Sequence, residues 1–351
     1  MNSRQRVLTA IERRRPDRAP ADYKADHRVN LRMFERLGVS DLDTLQDRLE
    51  TDIRRIEPRY VGPPDRQLPG GVVEDYWGIR STTVQTAAGS DQMFVKSALA
   101  DAQTLADFER HAWPWPDIFD YSVLAEACRR YPEHAVLFEG SDLFTRPCIL
   151  RGMENVLLDM AERPELAHYL LEKFTAFYCE ELTRALEATR GGLQLYCEWS
   201  DYGTQRGLLI SVPMWREFAA PYLRRLIQVC HSGGVKFMLH SCGSVHKLVP
   251  EFIAIGVDVL DPIQVRAAGM DPAELKRRFG DQISFHGAVD IQRTLPFGTP
   301  DDVRREVIER VRTLGANGGY IIAPTHEIQP DAPTENILAM YEPALREAAS
   351  P

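Results

Sequence analysis

From about residue 120 onward, short apolar runs alternate with longer stretches whose apolar positions recur at helical spacing. The runs read as strands at 135–140, 193–198, 235–242, 257–261, 283–287 and 319–323. Helices are expected between and around them, over 121–130, 161–189, 214–232, 245–255, 272–279 and 300–314. Two helix starts carry their own chemistry. Asp271-Pro272-Ala273-Glu274 places an N-cap, a proline at the first helical position and a glutamate at the third. Thr299-Pro300-Asp301-Asp302 repeats the design with aspartate at the third position. Val303, Val307, Val311 and Leu314 then share one face, and Gly315 suits the C-terminal cap.

Alternating strands and helices argue for a parallel sheet. The runs are apolar without strict alternation, as strands covered on both faces are. Two more strands are expected at 19–24 and 53–60, which brings the set to eight. The fold class expected is therefore α/β, a (β/α)8 TIM barrel with an irregular N-terminal extension, as a single domain over 1–351. An open doubly wound sheet is the alternative, disfavoured because no GxGxxG turn follows any strand. The first hundred residues are the least regular. A helix is expected over 3–13, with Val7, Leu8 and Ile11 as its apolar stripe. Pro63-Pro64 and Pro69-Gly70-Gly71 break the chain, and 76–95 reads as a hairpin or excursion. A short helix over 101–111 and a loop at Trp113-Pro-Trp-Pro116 lead into the regular part.

Composition narrows the function classes. The chain has 351 residues, 44% hydrophobic and 26% charged, which is ordinary for a soluble globular protein. Its net charge of −9, with no basic run, speaks against nucleic-acid binding. No apolar stretch approaches a membrane span, and the N-terminus lacks an apolar signal core, so a cytoplasmic protein is expected. The six cysteines form no CxxC pair and no zinc-finger spacing. Most read as small buried hydrophobes; Cys242 and, more weakly, Cys197 sit at strand ends.

The candidate chemistry lies at those strand ends. Val235-Lys-Phe-Met-Leu-His-Ser-Cys-Gly243 reads as a buried strand closing on His240 and Cys242. Residues i and i+2 of a strand point the same way, so an imidazole and a thiol stand side by side, and Gly243 is free to turn the chain. Imidazole plus thiolate is a zinc-type donor pair. His326, ending the apolar run of Tyr320-Ile-Ile-Ala-Pro-Thr-His326, supplies a third donor. Three protein ligands with one open position are the arrangement of a catalytic zinc. The other strand ends give Glu139, Glu198 with Asp201, Asp261 with Gln264, His286 with Asp290, and Glu327. Singly, each suits a helix cap, a solvated carboxylate or a hydrogen-bonded structural histidine. Their concentration on one rim is what a barrel active site requires. Glu139, Glu198, Asp201 and His286 are the candidate catalytic residues, orienting substrate or supplying a proton. Trp199 and Tyr202 could stack on a substrate ring or simply pack the barrel.

With these residues in view, the chain resembles the uroporphyrinogen decarboxylase superfamily. The likeness rests on Gly152-Met-Glu-Asn155, Asp201-Tyr-Gly-Thr-Gln205, Ile210-Ser-Val-Pro-Met-Trp-Arg-Glu217, His240-Ser-Cys-Gly-Ser-Val245, Gly256-Val-Asp-Val-Leu-Asp-Pro-Ile-Gln264, Leu275-Lys-Arg-Arg-Phe-Gly280, Phe285-His-Gly-Ala-Val-Asp290 and Ala323-Pro-Thr-His-Glu-Ile-Gln329. It covers residues 130–345 strongly and the N-terminal part loosely. It implies a (β/α)8 barrel with its pocket at the C-terminal mouth. True decarboxylases of this superfamily hold substrate carboxylates with an N-terminal Met-Arg-Gln-Ala-Gly-Arg segment. The corresponding region here, Arg18-Ala-Pro-Ala-Asp-Tyr-Lys-Ala-Asp-His27, lacks it. The second branch comprises zinc-dependent methyltransferases that exchange methyl groups with a corrinoid protein. Those resembling methylcobamide:coenzyme M methyltransferases bind zinc through His-x-Cys and a later Cys. His240 and Cys242 match the first two, and His326 stands where the later Cys falls. Imidazole also binds zinc, and one thiolate fewer leaves the metal more Lewis acidic.

The resemblance thus implies Zn2+ and a corrinoid carried by a separate partner protein, because the chain lacks the Asp-x-His-x-x-Gly motif of a corrinoid-binding domain. The expected activity is methyl transfer between that corrinoid and a small molecule, a thiol or a methyl ether. Two other readings stay open: a metal-free decarboxylase or lyase acting on a carboxylate, and a catalytically silent barrel that binds a ligand. Metal content separates methyl transfer from the metal-free decarboxylase; a flat activity screen and a mouth filled by side chains would favour the silent barrel. A homodimer is the default expectation for the assembly.

Overall fold

The computed structural model describes residues 1–86 and 89–342. Seven parallel strands form the central sheet: β1 (Ile53–Ile56), β2 (Ala135–Ser141), β3 (Leu195–Trp199), β4 (Lys236–His240), β5 (Val259–Ile263), β6 (Ser284–Val289) and β7 (Tyr320–Pro324), paired in that order. The segment 20–25 closes the ring. The Asp22 N–H donates to the Ile322 carbonyl, and the Ile322 N–H to that of Pro20. On its other side the Asp52 N–H donates to the Ala21 carbonyl. This is the eighth strand position of a (β/α)8 barrel. It is held by isolated bridges rather than a continuous ladder, and Pro20, which has no N–H to give, sits within it.

Each strand obeys the two-residue repeat, and that repeat builds the site. Ile53, Ala135, Leu137, Leu195, Cys197, Met238, Val259 and Ile321 face inward and pack together with Val7 and Ile11. The helix Ser3–Ile11 carries these last two and plugs the N-terminal end of the barrel; the Ile11 carbonyl accepts from the Ser284 hydroxyl. One inward step further along the strands, the apolar layer gives way to Arg55, Glu139, Trp199, His240, Asp261 and His286. The intervening residues, among them Val136, Phe138, Tyr196, Phe237, Leu239, Leu260, Phe285 and Ile322, are buried against the outer helices. Truncating one of them, such as Leu239 to alanine, costs about 2–5 kcal/mol.

Some elements differ from the sequence reading. The strand expected over 53–60 stops at Ile56, and Arg59–Tyr60 instead pairs antiparallel with Phe119–Asp120. Pro58, which cannot donate, separates the two pieces. The strand over 235–242 ends at His240, so Cys242 lies in the following turn. The helix over 214–232 is two, Val212–Phe218 and Ala220–Ser232. That over 245–255 is shortened to Val249–Ile255, with Pro250 in its first turn. The helices His27–Leu37, Leu42–Arg48, Thr145–Arg151 and Thr334–Met340 were not anticipated. Both capping sequences behave as expected: the Asp271 side chain accepts the Glu274 N–H, and Thr299 and Asp302 cap each other.

The N-terminal extension is a four-stranded antiparallel sheet of Arg66–Leu68, Val72–Glu74, Arg80–Thr86 and Gly89–Val95. The fully buried Trp77 pins its base to the outer helix Pro164–Thr189, stacking on Phe174 with ring centres 4.0 Å apart. No helix among the described residues is long and apolar enough to cross a membrane.

Candidate metal centre

His240, Cys242 and His326 come together at the C-terminal mouth. One ligand atom from each lies within 4.8 Å of the others. His240 is fixed by the last inward position of β4 and is 3% exposed. Cys242 is fixed by the turn after it. Gly243 has φ +86°, and a Cβ there would come 2.7 Å from the backbone of Gly203 and Thr204, so the chain turns where a side chain has no room. The Cys242 N–H donates to Asp201 Oδ1 at 2.7 Å, which locks this turn to the loop after β3. His326 follows β7 by two residues.

The tautomer of His240 is set by its neighbour. Its Nδ1–H donates to Asp261 Oδ2 at 2.6 Å, leaving the Nε2 lone pair facing Cys242 Sγ at 3.4 Å. In a tetrahedral site with Zn–N of about 2.0 Å and Zn–S of about 2.3 Å, donor atoms lie roughly 3.5 Å apart. The 3.4 Å between His240 Nε2 and Cys242 Sγ and the two-imidazole, one-thiol donor set fit zinc. The carboxylate behind His240 is the partner that metal-ligating histidines use. Burial, and then the His240 ring, push the His326 pKa down, which keeps it in the neutral, ligating form. Burial and the Asp201 and Asp261 carboxylates push the Cys242 thiol up, so metal binding at this site has to displace a proton.

A second set of groups stands behind the first. The Asp261 carboxylate takes a further hydrogen bond from His286 Nδ1–H at 2.6 Å, while His286 Nε2–H donates to Asp22 Oδ2 at 3.1 Å. Both ring nitrogens donate, so His286 is an imidazolium. Burial alone would lower its pKa, but Asp261 and Asp22 overcome that and hold it at about 9. Arg55 grips Asp22 with both terminal nitrogens, at 2.8 and 2.6 Å, and donates from Nε to Glu139 at 2.8 Å. Lys24 Nζ lies 3.1 Å from Glu139 and 3.7 Å from Glu327. The charges alternate from Glu139 through Arg55, Asp22 and His286 to Asp261, and end on His240.

Trp199 separates Lys24 from His240. Its indole stacks on His240, ring centres 3.9 Å apart, and the Lys24 ammonium sits 3.5 Å from the ring centre. Both cannot occupy one face at those distances, so the indole is sandwiched between them. The pocket bounded by these residues, with Met238, Ala323 and Pro324, has a free volume of about 20 Å³, little more than one water molecule needs.

Of the four candidate catalytic residues, only Asp201 stands open at the metal group. Its carboxylate is 42% exposed and 3.9 Å from His240 Nε2. Glu198 does not reach the site. It falls on the outward parity of β3, is fully buried, and accepts from the Leu143 N–H and the Ser200 hydroxyl. Glu139 lines the pocket, but burial, which would raise its pKa, is outweighed by Arg55 and Lys24; it stays a carboxylate with no proton to supply. His286 lines the pocket with both nitrogens already committed. Tyr202 is buried against Phe144 and Trp215, away from the mouth. Asp22, Lys24 and Arg55 were not singled out in the sequence. The available signal was a charge on the inward parity of an expected strand: Asp22 and Lys24 in 19–24, and Arg55 two residues after Ile53.

The family model of "Uroporphyrinogen decarboxylase (URO-D)" matches residues 143–346, more than half of the chain. A uroporphyrinogen decarboxylase from Chlorobium phaeobacteroides is 25% identical over 190 residues, 52% of this chain and 50% of that protein. One from an Anaeromyxobacter species is 27% identical over 192 residues, 55% of this chain and 51% of that protein. The chain spans about half the length of the curated relatives it matches. Among solved structures, a methyltransferase from Methanosarcina mazei superposes with a TM-score of 0.70 at 16% identity, over 99% of this chain and 98% of that one, and so shares the fold. The family match, on a barrel whose mouth gathers this constellation, means that the chain belongs to the uroporphyrinogen decarboxylase family.

Proposed function

We propose that the chain is a zinc-dependent methyltransferase that moves a methyl group between a small substrate and a corrinoid carried by a partner protein. The observation that carries this reading is the donor set of His240, Cys242 and His326, with His240 Nε2 freed by Asp261. Zinc held there would supply a Lewis acid with one position open to a substrate heteroatom. The fold shared with the methyltransferase from Methanosarcina mazei agrees with the reading.

The chain's own residues have separable tasks. Asp261 holds the His240 ring in its ligating orientation. Asp201, beside the ligand group and in contact with solvent, takes the proton of a substrate thiol or returns one to a leaving oxygen. Trp199 covers one face of His240 and keeps water off it. The ion-paired residues behind Asp261 hold its charge in place. The paired state of Arg55, Lys24 and His286 speaks against decarboxylation of a tetrapyrrole polycarboxylate, which needs cations free to meet it.

The test is methyl transfer in vitro. The zinc-loaded protein should speed demethylation of methylcobalamin by a thiol, read from the corrinoid absorbance under anoxic conditions. Cys242→Ser should lose both zinc and the acceleration. Undiminished activity in a zinc-free Cys242→Ser protein would contradict the proposal.

A further inference from the structure

Among the described residues, the pocket beside His240 and His326 is lined by no cation that lacks a carboxylate partner. Its cations are Lys24, Arg55 and His286. Lys24 is chelated by the two oxygens of Glu139, at 3.1 and 3.3 Å. Arg55 makes four hydrogen bonds, two to Asp22, one to Glu139 and one to the Tyr23 carbonyl. His286 gives both protons to carboxylates. We infer that the substrate of this site is uncharged, and that the Glu139–Lys24–Arg55 cluster is what excludes anions.

The reasoning is electrostatic. An anionic substrate at the mouth of this pocket, which itself has room for little more than a water, meets the Glu139 and Glu327 carboxylates, with Asp201 beside His240. To find a cation it must draw Lys24 or Arg55 away and leave a carboxylate unpaired in a poorly solvated place, which is costly. A cationic substrate fares no better, because the face of Trp199 and the Glu139 carboxylate that would receive an ammonium already hold that of Lys24. A neutral molecule disturbs none of these pairs. Another largely buried guanidinium, Arg146, belongs to the helix after β2 but lies outside the lining, among Asp75, Asp142, Glu181 and two tyrosines.

This inference rests on the metal-centred reading above, and the test separates the two. In a cobalt(II)-substituted protein, thiol binding is read from the thiolate-to-cobalt absorption, without turnover. The probes are 2-mercaptoethanol and 2-mercaptoethanesulfonate, which share a donor atom and differ in charge. We expect the neutral thiol to bind at least about tenfold more tightly. Glu139→Gln, which releases Lys24 and one side of Arg55, should narrow that preference to about threefold or less. Equal or tighter binding of the sulfonate by the unaltered protein would overturn the inference, and so would binding of neither thiol by cobalt-loaded protein. A chain that takes up no metal fails the earlier reading instead, before any thiol is added.

Discussion

The two walls of the barrel mouth are built on opposite plans. One wall, from β3, β4 and the turns after β4 and β7, presents Trp199, His240, Cys242 and His326, with one donor atom each of the last three gathered together. The other, from the segment 20–25, β1, β2 and β6, presents Asp22, Lys24, Arg55, Glu139 and His286, and every charge on it is matched. Asp261 belongs to both, one oxygen on His240 and the other on His286. The contrast separates binding from support. The wall proposed to take up a metal keeps donor atoms for it. A wall that must hold its neighbour rigid in a low-dielectric place satisfies them all.

Breaking the saturated wall should show first in stability. Asp22 is fully buried and balances both Arg55 and His286. Asp22→Asn should destabilise the fold by about 3–5 kcal/mol, as expected for an orphaned buried charge, in denaturant unfolding. The same wall predicts a pH dependence. With His286 held at about 9 in the folded chain, above its unfolded value of about 6.5, its contribution is fully present below pH 6.5. It is lost as pH rises through about 9, an order-of-magnitude loss of about 3 kcal/mol. His286→Gln should flatten this alkaline slope in the unfolding free energy; an unchanged slope would show that His286 is not its source.

The shared residue should behave as a hybrid. Asp261→Asn should weaken zinc binding by about 10–100-fold, measured by competition with a chelator, while the three ligands remain. The smallest effect belongs at the rim. Glu327 is 38% exposed and 3.7 Å from Lys24, so Glu327→Gln should change stability by less than about 1 kcal/mol. A larger change would place Glu327 in the support rather than at its edge.

The same division explains what could be read from the sequence. His240 was legible because it closes an apolar run on the inward parity; Cys242 was paired with it by the two-residue repeat, although the turn at Gly243 and the bond to Asp201, not the strand, place its thiol. The six strands from 135 onward were legible because a strand covered on both faces leaves an unbroken apolar run. The saturated wall was hidden: Asp22, Lys24 and Arg55 sit on short, Pro-interrupted stretches whose meaning depends on partners from 33 to 264 residues away. Glu198 misled for a related reason. It ends an apolar run, but the parity of β3 turns it outward, and one residue decides the side. His326 was found through its strand end, although the closeness of its ring to that of His240, 5.4 Å between centres, is a property of the closed barrel alone.

The most direct test of the metal centre is X-ray absorption at the zinc edge on zinc-loaded protein, with Cys242→Ser as control. The account predicts about one zinc per chain with one sulfur neighbour at about 2.3 Å and nitrogen or oxygen neighbours near 2.0 Å. The sulfur shell should vanish with the metal in Cys242→Ser. A protein that binds no zinc, or binds it with no sulfur neighbour, would contradict the assignment of His240, Cys242 and His326 as its ligands.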